Sequence, residues 1–193
     1  MALSIQNVLL HALFFFLLCP FAEWALHRYI MHRPFKILFW WLRYPFRSHA
    51  QVHHDIYKAD ETYHAQPGDN GEKIPMAWWN SLVIVSIGCM MISSYFNYFG
   101  WKWLPLALVI MFAYYGVYEY IHWCMHLPRQ RRMELWWVFQ KLNGHHLLHH
   151  RYMHKNFNVV FPLADLVLGT LMIRSPIAFA QARGPAVPSV QPL

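Results

Sequence analysis

The segment Gly144-His145-His146-Leu147-Leu148-His149-His150 holds four histidines and lies between a basic, aromatic segment and an apolar stretch. It is the last of four histidine clusters, and together the clusters contain ten of the fourteen histidines: His27 and His32; His49, His53 and His54; His122 and His126; His146, His149 and His150. Neutral imidazole is the commonest metal ligand in proteins. The recurrence of the clusters therefore predicts a metal centre rather than isolated histidines at helix ends.

The composition around these clusters is that of an integral membrane protein. Of the 193 residues, 57% are hydrophobic and 13% are charged, which is too apolar for an ordinary water-soluble domain. The net charge of +7 comes from bases interleaved with aromatic residues beside apolar runs. This pattern favours contact with anionic lipid and argues against a nucleic-acid partner. The three cysteines lie far apart, which argues against a disulfide framework or a thiolate zinc site.

Three apolar runs predict transmembrane helices at residues 1–22, 76–95 and 103–127, each long enough to cross a bilayer core of about 30 Å. Two shorter segments, 35–46 and 129–142, mix bases with aromatic residues and are predicted to lie in the interface. The apolar stretch 156–170 is short and interrupted, so we expect it to fold back rather than cross. Residues 1–175 are predicted to form a single membrane domain, and the Pro-rich residues 176–193 a disordered tail.

This topology places all four clusters on one side of the membrane. Of the sixteen Lys and Arg residues, only Lys102 falls on the other side. The positive-inside rule then predicts a cytoplasmic histidine face, in the endoplasmic reticulum of a eukaryote or the inner membrane of a bacterium. The predicted fold class is all-α and integral to the membrane, with three to four transmembrane helices and a helical cap that holds the histidines.

The spacings within the clusters predict two metal ions. Histidines three or four residues apart share a helix face, which applies to His49 with His53, to His122 with His126, and to His146 with His149 and His150. The pair His27 and His32 is roughly 140° off a shared face in a regular helix, so it needs a helix end or a π-bulge to converge. Adjacent histidines such as His53 and His54 are splayed by about 100°, which suits ligands of two metals. Ten imidazoles exceed the four ligands of tetrahedral zinc and fit two metals of five or six ligands each.

Further polar residues lie beside the clusters. Glu23 and Glu119 are carboxylates at the membrane edge and are predicted either to orient ligand histidines or, because Glu119-x-x-His122 has the spacing of di-iron helix bundles, to bind metal directly. Asp165 is predicted to orient a histidine or to cap a helix from Leu166 onward. His145 and His154 flank the last cluster as alternative ligands.

In the order and spacing of these motifs, with EWALHRYIMH at residues 23–32 and HHLLHHRYMHKNFNVVFPLADLVLGT at 145–170, the chain resembles the fatty acid hydroxylase / sterol desaturase superfamily of integral-membrane di-iron enzymes. The resemblance implies an O2-dependent hydroxylase or desaturase that acts on a lipid from the bilayer, most simply a fatty acyl chain. It also implies two iron ions on the ten histidines, with zinc as the ion that a purified protein can carry instead. Many relatives have a further N-terminal span or a fused cytochrome b5-like domain that this chain lacks. A separate electron donor, either cytochrome b5-like or a ferredoxin with its reductase, is therefore implied.

Two alternatives stay open at this point. Within the oxidoreductases, the chain can be a sterol desaturase or a carotenoid hydroxylase, which only the product would distinguish. In another class, it can be a histidine-rich membrane protein that binds or transports metal. Transport predicts polar residues along the spans, whereas residues 76–95 carry no charge. An enzyme predicts instead an apolar slot lined by span residues such as Met111, Phe112 and Tyr115.

Overall fold

The computed structural model describes residues 4–34 and 40–173, and over these ranges the chain is helical and forms no β-strand. The predicted tail at 176–193, the first three residues of the first predicted span and residues 35–39 of the first interfacial segment lie outside the described residues. The α-helices are α1 Ile5–Leu26, α2 Trp40–Phe46, α3 His54–Ile56, α4 Trp79–Met91, α5 Ser93–Phe99, α6 Leu104–His126, α7 Trp137–Arg151 and α8 Leu163–Val167.

Two helices are long and apolar enough to cross a membrane, namely Ile5–Met31 and Trp101–His126, and α4 with α5 forms a third candidate that is bent by 55°. Ser4 caps the start of the first of these, since its hydroxyl accepts a hydrogen bond from the backbone N–H of Asn7. The bend between α4 and α5 falls at Ile92, and the chain reverses at Gly100, where φ is +99°. The prediction of an all-helical fold is confirmed for the described residues, and two to three helices are long and apolar enough to span a membrane. A fourth span has no counterpart among the described residues.

The spans pack around α6, which contacts both α1 and α4. At the Gly100 end, Phe15, Phe96 and Trp103 are buried together. Further along, Cys19, Val85 and Met111 form the next layer of the core. Burial of these apolar side chains brings the ends of α1 and α6 together, and the histidines are at these ends.

The remaining elements form a cap beyond the ends of α1 and α6. Two π-helices, π1 at His27–Met31 and π2 at Arg47–His53, continue α1 and α2. A polar loop with a 3-10 turn at Glu61–Tyr63 connects α3 to α4, and α7 carries the last histidine cluster. The segment 156–170 forms no spanning helix; α8 packs on α1, and the Trp24 indole N–H donates to the Thr170 hydroxyl at 2.8 Å. The second interfacial segment exposes Trp136 and Trp137 at 65% and 68%.

Candidate metal centre

The ten predicted histidines form two groups of five, and within each group the candidate ligand atoms all lie within 4.8 Å of one another. Group 1 consists of His27, His32, His49, His54 and His149. Group 2 consists of His53, His122, His126, His146 and His150. All are buried except His32, which is half-buried. Each group draws on at least three helical segments, so tertiary packing assembles both.

The π-helices explain how the first two clusters converge. Because π1 starts at His27, the backbone N–H of His32 donates to the carbonyl of His27 at 3.1 Å, a bond across five residues that brings the two histidines to one side. Of the two arrangements predicted for this pair, a helix end or a π-bulge, the structure has the π-helix π1, with His32 as its C-cap. The same geometry in π2 corrects another prediction, since His49 shares group 1 with His54, five residues on, and not with His53.

Adjacent histidines divide between the groups, as their splay predicts. His53 belongs to group 2 and His54 to group 1, and His149 and His150 divide in the opposite order. The prediction that His146, His149 and His150 act on one shared face is therefore wrong for His149. In regular helix α7, His146 and His150 are four residues apart and face group 2, while His149 reaches group 1.

Backbone carbonyls fix the tautomers of four imidazoles. The Nδ1 atoms of His149 and His126 lie 2.7 and 2.8 Å from the carbonyl oxygens of Lys155 and Tyr63. Two further Nδ1 contacts join His27 to the Phe157 carbonyl and His150 to the Tyr57 carbonyl. Since a carbonyl only accepts, each Nδ1 carries the proton, and each Nε2 presents its lone pair. These Nε2 atoms point toward the other imidazoles of their group.

The lone pairs in group 2 fit a cation. His146 Nε2 lies 3.1 Å from His126 Nε2 and 3.0 Å from His150 Nε2, and both of these atoms have lone pairs. A neutral His146 has one N–H and can donate to only one of them, so a second contact brings two lone pairs together. Nδ1 of His146 and Nδ1 of His53 are also buried without a hydrogen-bond partner in the described structure. A metal ion among the five Nε2 atoms would replace this repulsion by coordination, so the residues present fit a bound metal.

Burial keeps the cap histidines neutral, which metal binding requires. The pKa of His149 is lowered to about 4, mainly because burial disfavours the charged imidazolium, and the hydrogen bond to Lys155 opposes the shift only in part. For His54, His146 and His150, burial is again the largest cause and holds the pKa well below 6.5. Both groups therefore offer unprotonated nitrogens near pH 7.

Asp165 lies inside α8 rather than at its start, so the prediction that it caps a helix from Leu166 is wrong. Its fully buried carboxylate accepts from the backbone N–H groups of Phe157 and Asn158 at 2.9 and 2.7 Å, and from the Thr170 hydroxyl. His145 Nε2 lies 3.1 Å from the same carboxylate. Burial raises the pKa of Asp165, but these hydrogen bonds, that of His145 first, outweigh it and hold the pKa below the usual value. Asp165 thereby fixes the loop that presents the Phe157 carbonyl, and His145 belongs to neither metal-binding group.

Glu23 and Glu119 belong to neither group of histidines. Glu23 accepts from the Tyr114 hydroxyl at 2.7 Å and the Val159 N–H at 2.6 Å, so it ties the loop after the last cluster to α1. Glu119 accepts from the Tyr115 hydroxyl at 2.6 Å and the Met76 N–H at 3.3 Å. Both carboxylates therefore act through their neighbours and not on a histidine nitrogen. His154 is exposed and also lies outside the two groups.

The residues that sequence reasoning missed are those that contribute backbone carbonyls. Tyr57 and Tyr63 supply acceptors to group 2 from a segment that reads as an ordinary polar loop. A carbonyl has no signature in the sequence, because every residue has one. For the Phe157 carbonyl, the available sequence signal was the pair of asparagines in Asn156-Phe157-Asn158. In the structure both asparagines are fully buried, and Asn156 adopts a φ of +54°.

An apolar pocket opens between α1, α4 and α6 and reaches group 1. It holds about 620 Å³ of empty space, its open mouth included, and is lined by Cys19, Ala22, Glu23, Leu26, His27, Met31, Met76, Ile84, Val85, Gly88, Met111, Tyr114, Tyr115 and Tyr118. Met111 and Tyr115 line it as predicted, whereas Phe112 does not and is exposed on another face of α6.

No protein-family model, curated protein or solved structure matches this chain. The likeness to the fatty acid hydroxylase / sterol desaturase superfamily thus depends on the histidine motifs alone. The structure itself establishes an all-helical protein with two to three candidate membrane spans and two buried histidine groups that can hold metal ions.

Proposed function

We propose that this protein is a membrane di-iron oxidoreductase that hydroxylates, or desaturates, an unactivated C–H bond of a lipid, with a fatty acyl chain as the first candidate substrate. The observation that carries the proposal is the position of His27, which belongs to group 1 and also lines the apolar pocket. A lipid chain in that pocket would end beside a nitrogen-rich metal site.

The imidazole-only donor sets suit iron, and they accept zinc as well. Iron bound there would supply the activation of O2 and the abstraction of hydrogen. Hydroxylation converts R–H, O2, two electrons and two protons into R–OH and water. The two electrons require a separate donor, for which we propose a small redox protein.

The chain's own residues would hold the metal ions, position the ligand histidines and keep water away from the substrate. The carbonyls of Phe157 and Lys155 orient His27 and His149, and Glu23 and Asp165 hold the loop that carries these carbonyls. The apolar pocket wall excludes water from the reacting carbon. Two of the polar groups that line it, the Tyr114 hydroxyl and the Glu23 carboxylate, are hydrogen-bonded to each other.

A sterol desaturase or a carotenoid hydroxylase would use the same site, and product analysis separates these possibilities. Metal transport fits less well. The first candidate span, Ile5–Met31, carries two charged residues near its cap end, Glu23, which is hydrogen-bonded, and Arg28, which lies over the Trp24 ring. The candidate span of α4 with α5 carries none, and the pocket beside group 1 is apolar rather than a polar path. We propose that the histidine face is cytoplasmic, which the distribution of Lys and Arg supports.

The test compares His149→Ala with His154→Ala after anaerobic purification. His149 is a buried member of group 1, and His154 is an exposed histidine five residues away on the same segment. We expect two irons per chain and oxidised lipid from the unsubstituted protein and from His154→Ala, and loss of group 1 iron and of product from His149→Ala. Metal analysis and mass spectrometry of lipids from expressing cells give both readouts. If His149→Ala yields as much hydroxylated or desaturated lipid as the unsubstituted protein, the proposal is refuted.

A further inference from the structure

The cap has an uneven distribution of charge. The segments 27–34 and 151–157 contain four bases and no Asp or Glu, and we call these bases the basic rim: Arg28, Arg33, Arg151 and Lys155. The polar loop 55–73, by contrast, holds five of the nine carboxylates of the chain: Asp55, Asp60, Glu61, Asp69 and Glu72. Only two lysines accompany them in that loop.

Contacts place the basic rim beside group 1. The Lys155 carbonyl accepts from His149 at 2.7 Å. The Arg28 guanidinium lies 5.7 Å from the centre of the Phe157 ring, so the two basic segments adjoin. The acidic loop lies beside group 2 instead, since the Tyr63 carbonyl accepts from His126 and the Ala65 N–H donates to the His126 carbonyl at 2.7 Å. The segment of Lys155 and Phe157 therefore adjoins group 1, and the segment of Tyr63 and Ala65 adjoins group 2.

The rim is accessible and partly aromatic. Arg33 and Arg151 are exposed, and each stacks on a neighbouring tyrosine, with 5.0 Å from Arg33 to the Tyr29 ring and 5.6 Å from Arg151 to the Tyr152 ring. Tyr29 is 42% exposed. Arginine and tyrosine are enriched in protein–protein interfaces, and a patch of one charge sign steers a partner of the other sign.

One buried ring separates this surface from group 1. Phe157 is 5.7 Å from His27 and 5.7 Å from His149, measured between ring centroids, and 5.9 Å from Trp24. Arg28 lies over both Trp24 and Phe157. A protein on the rim would thus approach group 1 to within a layer of aromatic side chains, whereas the acidic loop would repel an acidic partner from group 2.

We propose that the basic rim is the docking surface for a soluble, acidic, one-electron carrier protein. This rests on the proposed function, because the oxidation consumes two electrons from outside the chain. Anionic lipid is the competing ligand of a basic surface. It fits the segment of Arg129 and Arg132 better, because that segment exposes Trp136 and Trp137, whereas the aromatic residues exposed beside the rim are tyrosines.

The experiment measures binding of the soluble haem domain of cytochrome b5, an acidic one-electron carrier, to the full-length, iron-loaded protein in phosphatidylcholine nanodiscs. The variants are Arg33→Glu, Arg151→Glu and the double substitution, with Arg132→Glu as the matched control at an exposed arginine of the lipid-facing segment. We expect the double variant to lower the affinity at least about tenfold at low salt and the control to change it less than about twofold. The affinity of the unsubstituted protein should fall steeply as salt shortens the screening length from about 10 Å to about 3 Å.

Unchanged affinity in the double variant, or an equal loss with Arg132→Glu, would overturn the docking surface. So would a result in which the rim variants reduce binding only to phosphatidylserine vesicles, because the rim would then be a lipid surface. Reduction by dithionite separates this proposal from the underlying function. Oxidised lipid formed with dithionite by a protein that shows no salt-dependent carrier binding would overturn the docking surface alone. A lack of lipid product with both dithionite and the reduced haem domain would overturn the proposed oxidoreductase function. The binding curves would still decide whether an acidic protein docks.

Discussion

Replacing Asp165 by Ala should remove metal from group 1 and leave group 2 loaded. Asp165 touches no group 1 histidine, but it accepts from the backbone N–H groups of Phe157 and Asn158, both buried. Without the carboxylate each N–H lacks an acceptor at a cost of about 1–3 kcal/mol, or roughly 2–6 kcal/mol for the pair. The loop relieves this cost by moving, and the Phe157 and Lys155 carbonyls move with it.

Those carbonyls orient His27 and His149, which are both in group 1. Loss of one such outer contact typically weakens metal binding about 10- to 100-fold. Two losses therefore predict a fall of roughly 10² to 10⁴ at group 1. The acceptors for group 2 come from Tyr57 and Tyr63, in a different loop, and should not change.

The assay titrates chelator-stripped protein with Co2+ and reads the stoichiometry and the affinity of each site. Two tight sites are expected for the unsubstituted protein and for Glu134→Ala, a carboxylate that pairs with Arg131 away from both groups. One tight site is expected for Asp165→Ala. Asp165→Asn should fall between them, because its amide oxygen can still accept from Phe157. Equal weakening of both sites, or no weakening in Asp165→Ala, would refute the reasoning.

Further substitution and pH experiments probe the pocket and the neutral histidines. At Gly88, an added Cβ would lie 3.7 Å from the Met111 sulfur, which is an ordinary contact, so Gly88→Ala should still form oxidised lipid. Gly88→Phe should fill the pocket and abolish the lipid product while the metal content stays unchanged. A parallel loss of metal in Gly88→Phe would contradict this. The metal-free protein should lose stability as the pH falls from 6.5 toward 4, because the unfolded chain takes up a proton at His149 that the folded chain excludes. The shift at His149 alone lowers the free energy of unfolding by about 3 kcal/mol at the acidic end of this range. Thermal melts across the range measure the effect, and a constant melting temperature would contradict the prediction.

The sequence predicted the ligand chemistry better than it predicted the pairing of the ligands. The spacing of His27 and His32 required a helix end or a π-bulge, and the structure has the π-helix π1. The same reasoning failed for His49, because a spacing of four looks satisfactory in an α-helix and gives no reason to expect π2. A rule about helix faces can detect a conflict between spacing and geometry, but it cannot detect a π-helix where no conflict exists.

The roles of the carboxylates depend on long-range contacts that no local pattern records. Glu23 bonds Val159, 136 residues away in the chain, and this contact exists only because α8 and the preceding loop pack on α1. From the sequence, Glu23 lies beside His27 and is predicted either to orient a ligand histidine or to bind metal directly. Its partners became identifiable only when the segment after the last cluster had a position in space.

The division of neighbouring histidines has a consequence for how this site can change over generations. His53 and His54 serve different groups, as do His149 and His150. An insertion or deletion of one residue before either pair would rotate both members by about 100° and misplace one ligand in each group at once. The register of these helices thus affects both groups together. A one-residue shift of a helix cannot remove one group and leave the other intact. Loss of one group alone therefore requires substitution of its own ligands or of the residues that orient them, not a shift in helix register.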